Sequence, residues 1–274
     1  MKKSWFAGKR VIITGATSGI GRKLVDIFLN EYGCEVLGVS RNEEKAQKVY
    51  NEISAYTDKY SKYCFDVSDK NSWFCFANHL LENSFVPDLI INNAGVLPKF
   101  RSALKTEIDD IEHVLKTDFF SAVYSFKSMQ SVFGQKIPAF VNVSSSAALA
   151  TLAGTCAYSS AKSALRAFTE CLSYELKNIN YVAVVCPGFT KTDIFKNQSQ
   201  SINSGIVGKF SMPVEKMAKK IVKGIKNKKK RMIYGKDAHF MSILARVMPK
   251  KSTDILSGVL KMSKMELFNE VFGD

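Results

Sequence analysis

Proline and glycine are scarce in this chain, 6 and 16 of 274 residues, and no segment is of low complexity. That excludes collagen-like and linker-type proteins. Hydrophobic residues at 46% against 23% charged also exclude an intrinsically disordered chain. Histidine is scarcer still, at three, and the six cysteines (Cys34, Cys64, Cys75, Cys156, Cys171 and Cys186) are scattered with no C-x-x-C pair. None stands at zinc-ligand spacing from a histidine, so no metal site is expected and the thiols are read as reduced. No apolar run approaches the roughly 18 residues that cross a bilayer. The opening Met1-Lys2-Lys3-Ser4-Trp5 meets glycine and more charge before any long apolar stretch, unlike a signal peptide. A cytoplasmic location is the expectation.

Acidic charge is in short supply, but only in one region. Residues 1–195 carry 22 basic and 19 acidic side chains, a net +3, whereas 196–274 carry 17 and 6, a net +11. The excess belongs to the end of the chain and points either to an anionic surface or to a solvated tail.

What is present is alternation. Short apolar runs at 11–13, 35–40, 62–67, 88–92, 139–143 and 181–186 read as strands, with 231–234 as a seventh. Helical patterns fall between them near 20–31, 42–56, 69–83, 109–133 and 157–177, and again at 213–227, with Asn42 and either Ser68 or Asp69 as caps. Continuous apolar strands alternating with helices predict an α/β fold, a single Rossmann-type doubly wound parallel sheet covered on both faces. The chain reads as one domain over 1–274: a core of about 8–235, a polar segment with spaced apolar residues at 189–212 read as a lid, and a helical extension at 236–274.

The first strand runs into Thr14-Gly15-Ala16-Thr17-Ser18-Gly19-Ile20-Gly21 and then a helix. Glycines there permit a tight turn and let a pyrophosphate approach backbone N–H groups at the helix N-terminus, although the same turn could be purely structural. The second strand ends in Ser40-Arg41 with no carboxylate. Arginine at that place attracts a 2′-phosphate, which favours NADP(H) over NAD(H); a solvated surface charge is the alternative. Asp66-Val67 is placed to contact adenine, or to cap the next helix.

Tyr158 and Lys162 are four apart, so they share one helix face. An ammonium beside a phenol lowers its pKa toward working pH, and Tyr158 could then exchange a proton with a substrate oxygen. By itself a Y-x-x-x-K is commonplace. Here it follows a strand ending in Ser144-Ser145-Ser146, any of which could hydrogen-bond that oxygen.

Taken together, the chain resembles the short-chain dehydrogenase/reductase family over roughly 8–235. TGATSGIG is similar to T-G-x-x-x-G-x-G, Asn92-Asn93-Ala94-Gly95 to N-N-A-G, and Tyr158–Lys162 to Y-x-x-x-K. Pro187-Gly188-Phe189-Thr190-Lys191-Thr192 is similar to P-G-x-x-x-T, which in the family touches the nicotinamide. The resemblance implies a catalytic serine thirteen residues before the tyrosine, hence Ser145. It also implies a hydride transfer in which Tyr158 moves the proton, Ser145 orients the oxygen, and Lys162 holds the ribose. It departs at Asp118, where the family commonly has an asparagine in a water relay. An ionised aspartate accepts hydrogen bonds but donates none, so it either pairs with Lys162 or impairs turnover.

The resemblance implies a small-molecule substrate and a homodimer or homotetramer. The apolar residues of the lid, Phe189, Ile194, Phe195, Ile202, Ile206, Val207 and Phe210, point to a hydrophobic ketone or secondary alcohol such as a steroid, bile acid or acyl compound, unless they only pack the lid. The basic run 226–231 suits the C-terminal end of a helix. Apolar residues spaced three and four apart among the lysines of 238–268 leave three uses open: covering the cleft, self-association, or peripheral contact with anionic lipid. No nucleic-acid module accompanies the charge. The rival function is a nucleotide-binding regulator with little turnover.

Overall fold

The computed structural model describes residues 3–178, 180–192, 194, 211–262 and 268–272. Seven strands form one sheet: β1 (Arg10–Thr14), β2 (Glu35–Ser40), β3 (Tyr60–Cys64), β4 (Leu89–Asn92), β5 (Ala139–Val143), β6 (Val182–Pro187) and, after a separate pair, β9 (Arg231–Tyr234). Their order is β3-β2-β1-β4-β5-β6-β9, and every neighbouring pair is parallel. The chain winds outward in one direction from β1 to β3 and returns across β1 to begin β4. This reversal leaves a crevice beyond the carboxyl ends of β1 and β4, where such sheets hold ligands.

Both sheet faces are covered, which is why the strands are apolar throughout rather than alternating. On one face α1 (Gly19–Tyr32), α2 (Glu43–Ser54) and α7 (Val214–Lys226) bury Leu24, Phe28, Ile53, Ile221 and Ile225 against Val11, Ile13 and Val185. On the other, α3 (Lys70–Glu82), α5 (Ser121–Phe133) and α6 (Cys156–Glu175) bury Trp73, Phe76, Met129 and Leu172 against Ile12, Ile90 and Phe140. Asn42 and Asp69 cap α2 and α3, accepting from Lys45 N and Ser72 N at 2.8 Å each.

Two expectations shift. The third strand is Tyr60–Cys64 rather than 62–67, because Asp66 turns the chain: its Oδ1 accepts from Ser68 N (2.9 Å) and Ser68 Oγ (2.7 Å). The long helix after β4 is broken by a π turn, Lys116–Phe120, between α4 (Ile108–Leu115) and α5. The polar segment 189–212 is described only at 189–192, 194, 211 and 212, so its reading as a lid, with Phe195, Ile202, Ile206, Val207 and Phe210, lies outside the described residues. Its two ends meet in a short parallel pair, β7 (Thr190–Lys191) with β8 (Met212–Pro213). Beyond β9, α8 (Lys236–Val247) and α9 (Ser252–Met262) pack Met241 and Leu256 against Ala150, and α10 (Asn269–Phe272) follows. No helix among the described residues is long and apolar enough to cross a membrane.

A buried polar chain ties β4, β5 and α6 below the crevice. Asn92 Nδ2 donates to Asn142 Oδ1 (2.8 Å), and Asn142 Nδ2 donates to Thr169 Oγ1 (2.9 Å). Thr169→Val leaves the Asn142 amide with an unmet buried donor and should cost about 1–3 kcal/mol. The reading is a lowered urea midpoint with an unchanged slope; an unmoved midpoint would show that the amide finds another partner.

Candidate active site

A cavity of about 510 Å³ opens at the reversal point. One wall is the turn into α1. Gly15 (φ +67°) and Gly19 (φ +52°) take backbone conformations that side chains disfavour, and a Cβ on Gly21 would lie 2.2 Å from Gly15 O. Ser18, before α1, makes no side-chain cap, so the N–H groups of the first helical turn are left for a ligand. Thr14 Oγ1 braces this turn by accepting from Asn93 N (3.0 Å) and Ala94 N (2.9 Å), and Asn93 Nδ2 donates to Thr14 O (2.9 Å). The N-N-A-G segment is thereby joined to the glycine turn, and Gly15, Ser18, Gly19, Ile20, Asn93, Ala94 and Gly95 all face the cavity.

Arg41 and Lys45 stand at one end of the cavity. Arg41 is largely exposed and lies 3.5 Å from Asp66 Oδ2, a surface pair that a bound anion can displace at little cost. Burial works to raise the pKa of Asp66, but Ser68 and Arg41 together hold its carboxyl below the usual range. Lys45 escapes sequence reading, although its place in the first turn after the Asn42 cap is a usable signal. Thr17, Gly21, Ser40, Asp66 and Val67 are not part of the lining. Thr17 Oγ1 and Ser40 Oγ are 3.5 Å apart, while Val67 is turned into the core, its carbonyl accepting from Trp73 Nε1 (2.9 Å).

Pro187, the last residue of β6, with Gly188, Phe189, Thr190 and Thr192 beyond it, forms a further wall. Phe189 N donates to Asp237 Oδ2 (2.6 Å), and a Cβ on Gly188 would lie 2.2 Å from Asp237 Oδ1. Asp237, on the first turn of α8, is a positioning group with no local motif to announce it.

At the floor, Ser145, Tyr158 and Lys162 converge. Ser145 Oγ accepts from Ala147 N (3.1 Å) and stands beside Tyr158, where it favours the phenolate, whereas Ser144 Oγ donates to Lys162 O (2.7 Å), pinning the helix to β5. Lys162 Nζ lies 5.7 Å from the centre of the Tyr158 ring and donates to Val143 O (3.3 Å). Asp118 does pair with it: Asp118 Oδ2 is 3.3 Å from Lys162 Nζ, with both side chains at most 4% exposed. Asp118 Oδ1 accepts from Val96 N (2.7 Å), and the π turn aims the carboxylate inward. Asp118 itself does not line the cavity.

Burial, together with the Asp118 charge, opposes the expected lowering of the Tyr158 pKa. Burial pushes the phenol up, Lys162 pulls it down, Asp118 pushes it up again, and the net direction is upward. Burial also raises the Asp118 carboxyl against the pull of Lys162. Burial works to lower the Lys162 ammonium, but Asp118 and Tyr158 outweigh it and the net shift is upward.

The comparisons with known proteins meet this geometry directly. The short chain dehydrogenase family profile matches residues 9–203. The chain belongs to the short-chain dehydrogenase family. A probable oxidoreductase, EphD, of Mycobacterium tuberculosis is 29% identical over 269 residues, 90% of this chain, and the chain spans 44% of EphD's length. The 3-ketodihydrosphingosine reductase of Bos taurus is 29% identical over 277 residues, covering 96% of this chain and 82% of that protein. A short-chain dehydrogenase/reductase from Burkholderia phymatum, solved in complex with NAD, superposes with a TM-score of 0.78 at 19% identity, over 90% of this chain and 94% of that one. The last likeness carries the fold alone.

Within this family geometry, the Asp118 charge should govern when the phenol ionises. Asp118→Asn removes a charge that opposes the phenolate, so Tyr158 should ionise at lower pH. A reduction that needs the protonated phenol then loses rate at a lower pH than in the native protein. An unmoved alkaline limb would show that the Asp118 charge does not reach Tyr158.

Proposed function

We propose that the chain is an NADP(H)-dependent oxidoreductase that interconverts a ketone and a secondary alcohol on an apolar substrate. The carrying observation is the convergence of Ser145, Tyr158 and the Lys162 ammonium in the lining of one cavity. The glycine cradle and the first-turn N–H groups of α1 suit a pyrophosphate, and a Cβ at Gly21 would collapse the turn. A nicotinamide dinucleotide held there supplies or accepts the hydride. In the reducing direction Tyr158 donates its proton to the substrate oxygen and Ser145 orients that oxygen by a hydrogen bond. Lys162, anchored by Asp118 and Val143 O, keeps a positive charge beneath the phenol that leaves the phenolate less costly.

Arg41 and Lys45 at one end of the cavity support NADP(H) over NAD(H), since no carboxylate ends β2 to take the ribose hydroxyls. At the other end, Leu97, Phe100, Leu152, Phe189 and Ile194 make the lining apolar. The 3-ketodihydrosphingosine reductase of Bos taurus, named for a keto substrate, supports the reading of a ketone reductase. A regulator with little turnover is the second reading. It is favoured by Asp118, whose carboxylate offsets the ammonium on which the phenolate depends. As in the rest of the family, a homodimer or homotetramer is the expected assembly.

NADPH and NADH oxidation against steroid, bile-acid, acyl and small carbonyl compounds tests both readings. Tyr158→Phe should lower kcat by about two to four orders of magnitude with NADPH affinity nearly intact. Arg41→Ala should lower kcat/KM with NADPH by roughly tenfold or more and leave NADH unaffected. Retained turnover in Tyr158→Phe, or a native preference for NADH, overturns the corresponding part. NADPH binding without turnover across the panel favours the regulator.

The basic run 226–231 is partly structural: Lys228 Nζ lies 5.5 Å over the Trp5 ring and Lys230 Nζ donates to Ser173 O (3.3 Å). Exposed Phe240, Ile243 and Val247 on α8, near exposed Lys236, Lys250 and Lys251, support peripheral contact with anionic lipid instead. Co-sedimentation with phosphatidylglycerol vesicles at low salt should occur and should fail in Phe240→Ser/Ile243→Ser. No sedimentation of the native protein excludes this contact.

A further inference from the structure

The residues that grip the end of the chain are next-door neighbours of residues that face the reacting groups. Phe100 faces the cavity, and the two residues after it hold α10: Arg101 Nε donates to Glu270 Oε2 (2.8 Å) and Ser102 N donates to Glu270 O (3.1 Å). On the opposite lip, Leu152 and Thr155 face the cavity, and between them Gly154 receives Val271 so closely that a Cβ there would lie 2.4 Å from Val271 Cγ2. The two lips also meet directly, Arg101 N donating to Gly154 O (3.1 Å). The tail therefore bridges both sides of the cleft at its apolar end.

Its aromatic side chains point the same way. Phe268 is 4% exposed, with its ring centre 5.3 Å from that of Phe100 and 6.2 Å from that of Phe272. Leu97, Phe100 and Phe268 form one apolar cluster against which Tyr158, Phe189 and Ile194 pack. That cluster is separate from both sheet-covering cores, so it contributes little to holding the sheet together and owes its existence to the cavity wall.

We propose that residues 268–272 are a specificity-determining element: they back the Leu97–Phe100 wall with Phe268 and so create the binding surface for the apolar part of a long-chain or polycyclic ketone. The Arg101–Glu270 pair and the Gly154 notch are its anchors. Phe268 is a positioning residue, acting through Phe100 rather than by touching the carbonyl. Phe268 takes no part in the proton transfer itself, and its contribution grows with the apolar area that a ligand lays against the wall it supports. The ketone class rests on the function proposed above; the binding surface itself does not.

The test reads binding and turnover separately, on the full chain. The first readout is fluorescence titration with the neutral apolar dye N-phenyl-1-naphthylamine, displaced by 2-undecanone; the second is NADPH-dependent reduction of 2-alkanones from 2-butanone to 2-undecanone. In Phe268→Ala/Phe272→Ala, dye affinity should fall by about tenfold. The kcat/KM for 2-undecanone should fall by a similar factor, while 2-butanone and the NADPH Kd move by less than about twofold. Glu270→Ala keeps every apolar side chain and should give a smaller loss of the same pattern, and it decides the matter if the double variant does not fold. Unchanged dye affinity, or equal losses along the ketone series, overturns the proposal. Should the native protein reduce none of the ketones, the proposed function fails on these substrates, and dye binding in the two variants still decides the tail.

Discussion

An ammonium with 4% of its side chain exposed has to be paired, and the arrangement of the site follows from how Lys162 is. A lone charge in that position costs several kcal/mol or neutralises itself (about this order for buried ions). Two groups partner the ammonium, Asp118 from the π turn between α4 and α5 and the Val143 carbonyl at the end of β5, while Ser144 fixes the residue by donating to its backbone carbonyl. The π turn is the local departure from helix that swings Asp118 inward. Gly95 leaves the room for it, since a Cβ there would lie 3.1 Å from both Asp118 Oδ1 and Lys162 Nζ. The same pairing sets the field at Tyr158, where Lys162 favours the phenolate and Asp118 opposes it.

The cavity is divided by the chemistry of its ends. At one end the ligands are backbone N–H groups, glycines and two cations, which suit a charged, extended molecule whose phosphates need donors rather than volume. The other end is lined by Leu97, Phe100, Leu152 and Ile194, which reward apolar area and offer no charge. Tyr158 stands between them, with Ser145 as its partner. Such a division lets one end be shared across a family while the other varies with the loops and the tail that build it.

The excess positive charge of the last 79 residues has no single explanation in the fold, and it divides among several settings. Lys223 and Lys226 lie in the last turn of α7, where the helix dipole favours cations. Lys228 and Lys230 are engaged with Trp5 and the Ser173 carbonyl. Among the described residues, Lys236, Lys250 and Lys251 make no such tie to the core and are exposed, as are Phe240, Ile243 and Val247 of α8.

Local chemistry decides a good deal of this protein. Apolar β-branched runs such as Val11-Ile12-Ile13 can only be strands covered on both sides, glycines at 15, 19 and 21 mark the ligand turn, and Tyr158 with Lys162 share a helix face by spacing alone. Those features depend on residues within a turn or a strand of each other, which is why they are legible in the sequence. Asp118 and Lys162 are 44 positions apart in number yet 3.3 Å apart in space, and it is burial, with the Asp118 charge added to it, that reverses the expected direction at Tyr158. Asp237 bracing Phe189, Val67 facing the core, and Phe268 and Glu270 returning to the cleft are likewise decided by packing between distant segments. Pattern and spacing report what a residue's neighbours along the chain permit; which charges and rings share a low-dielectric interior is set only when the sheet closes.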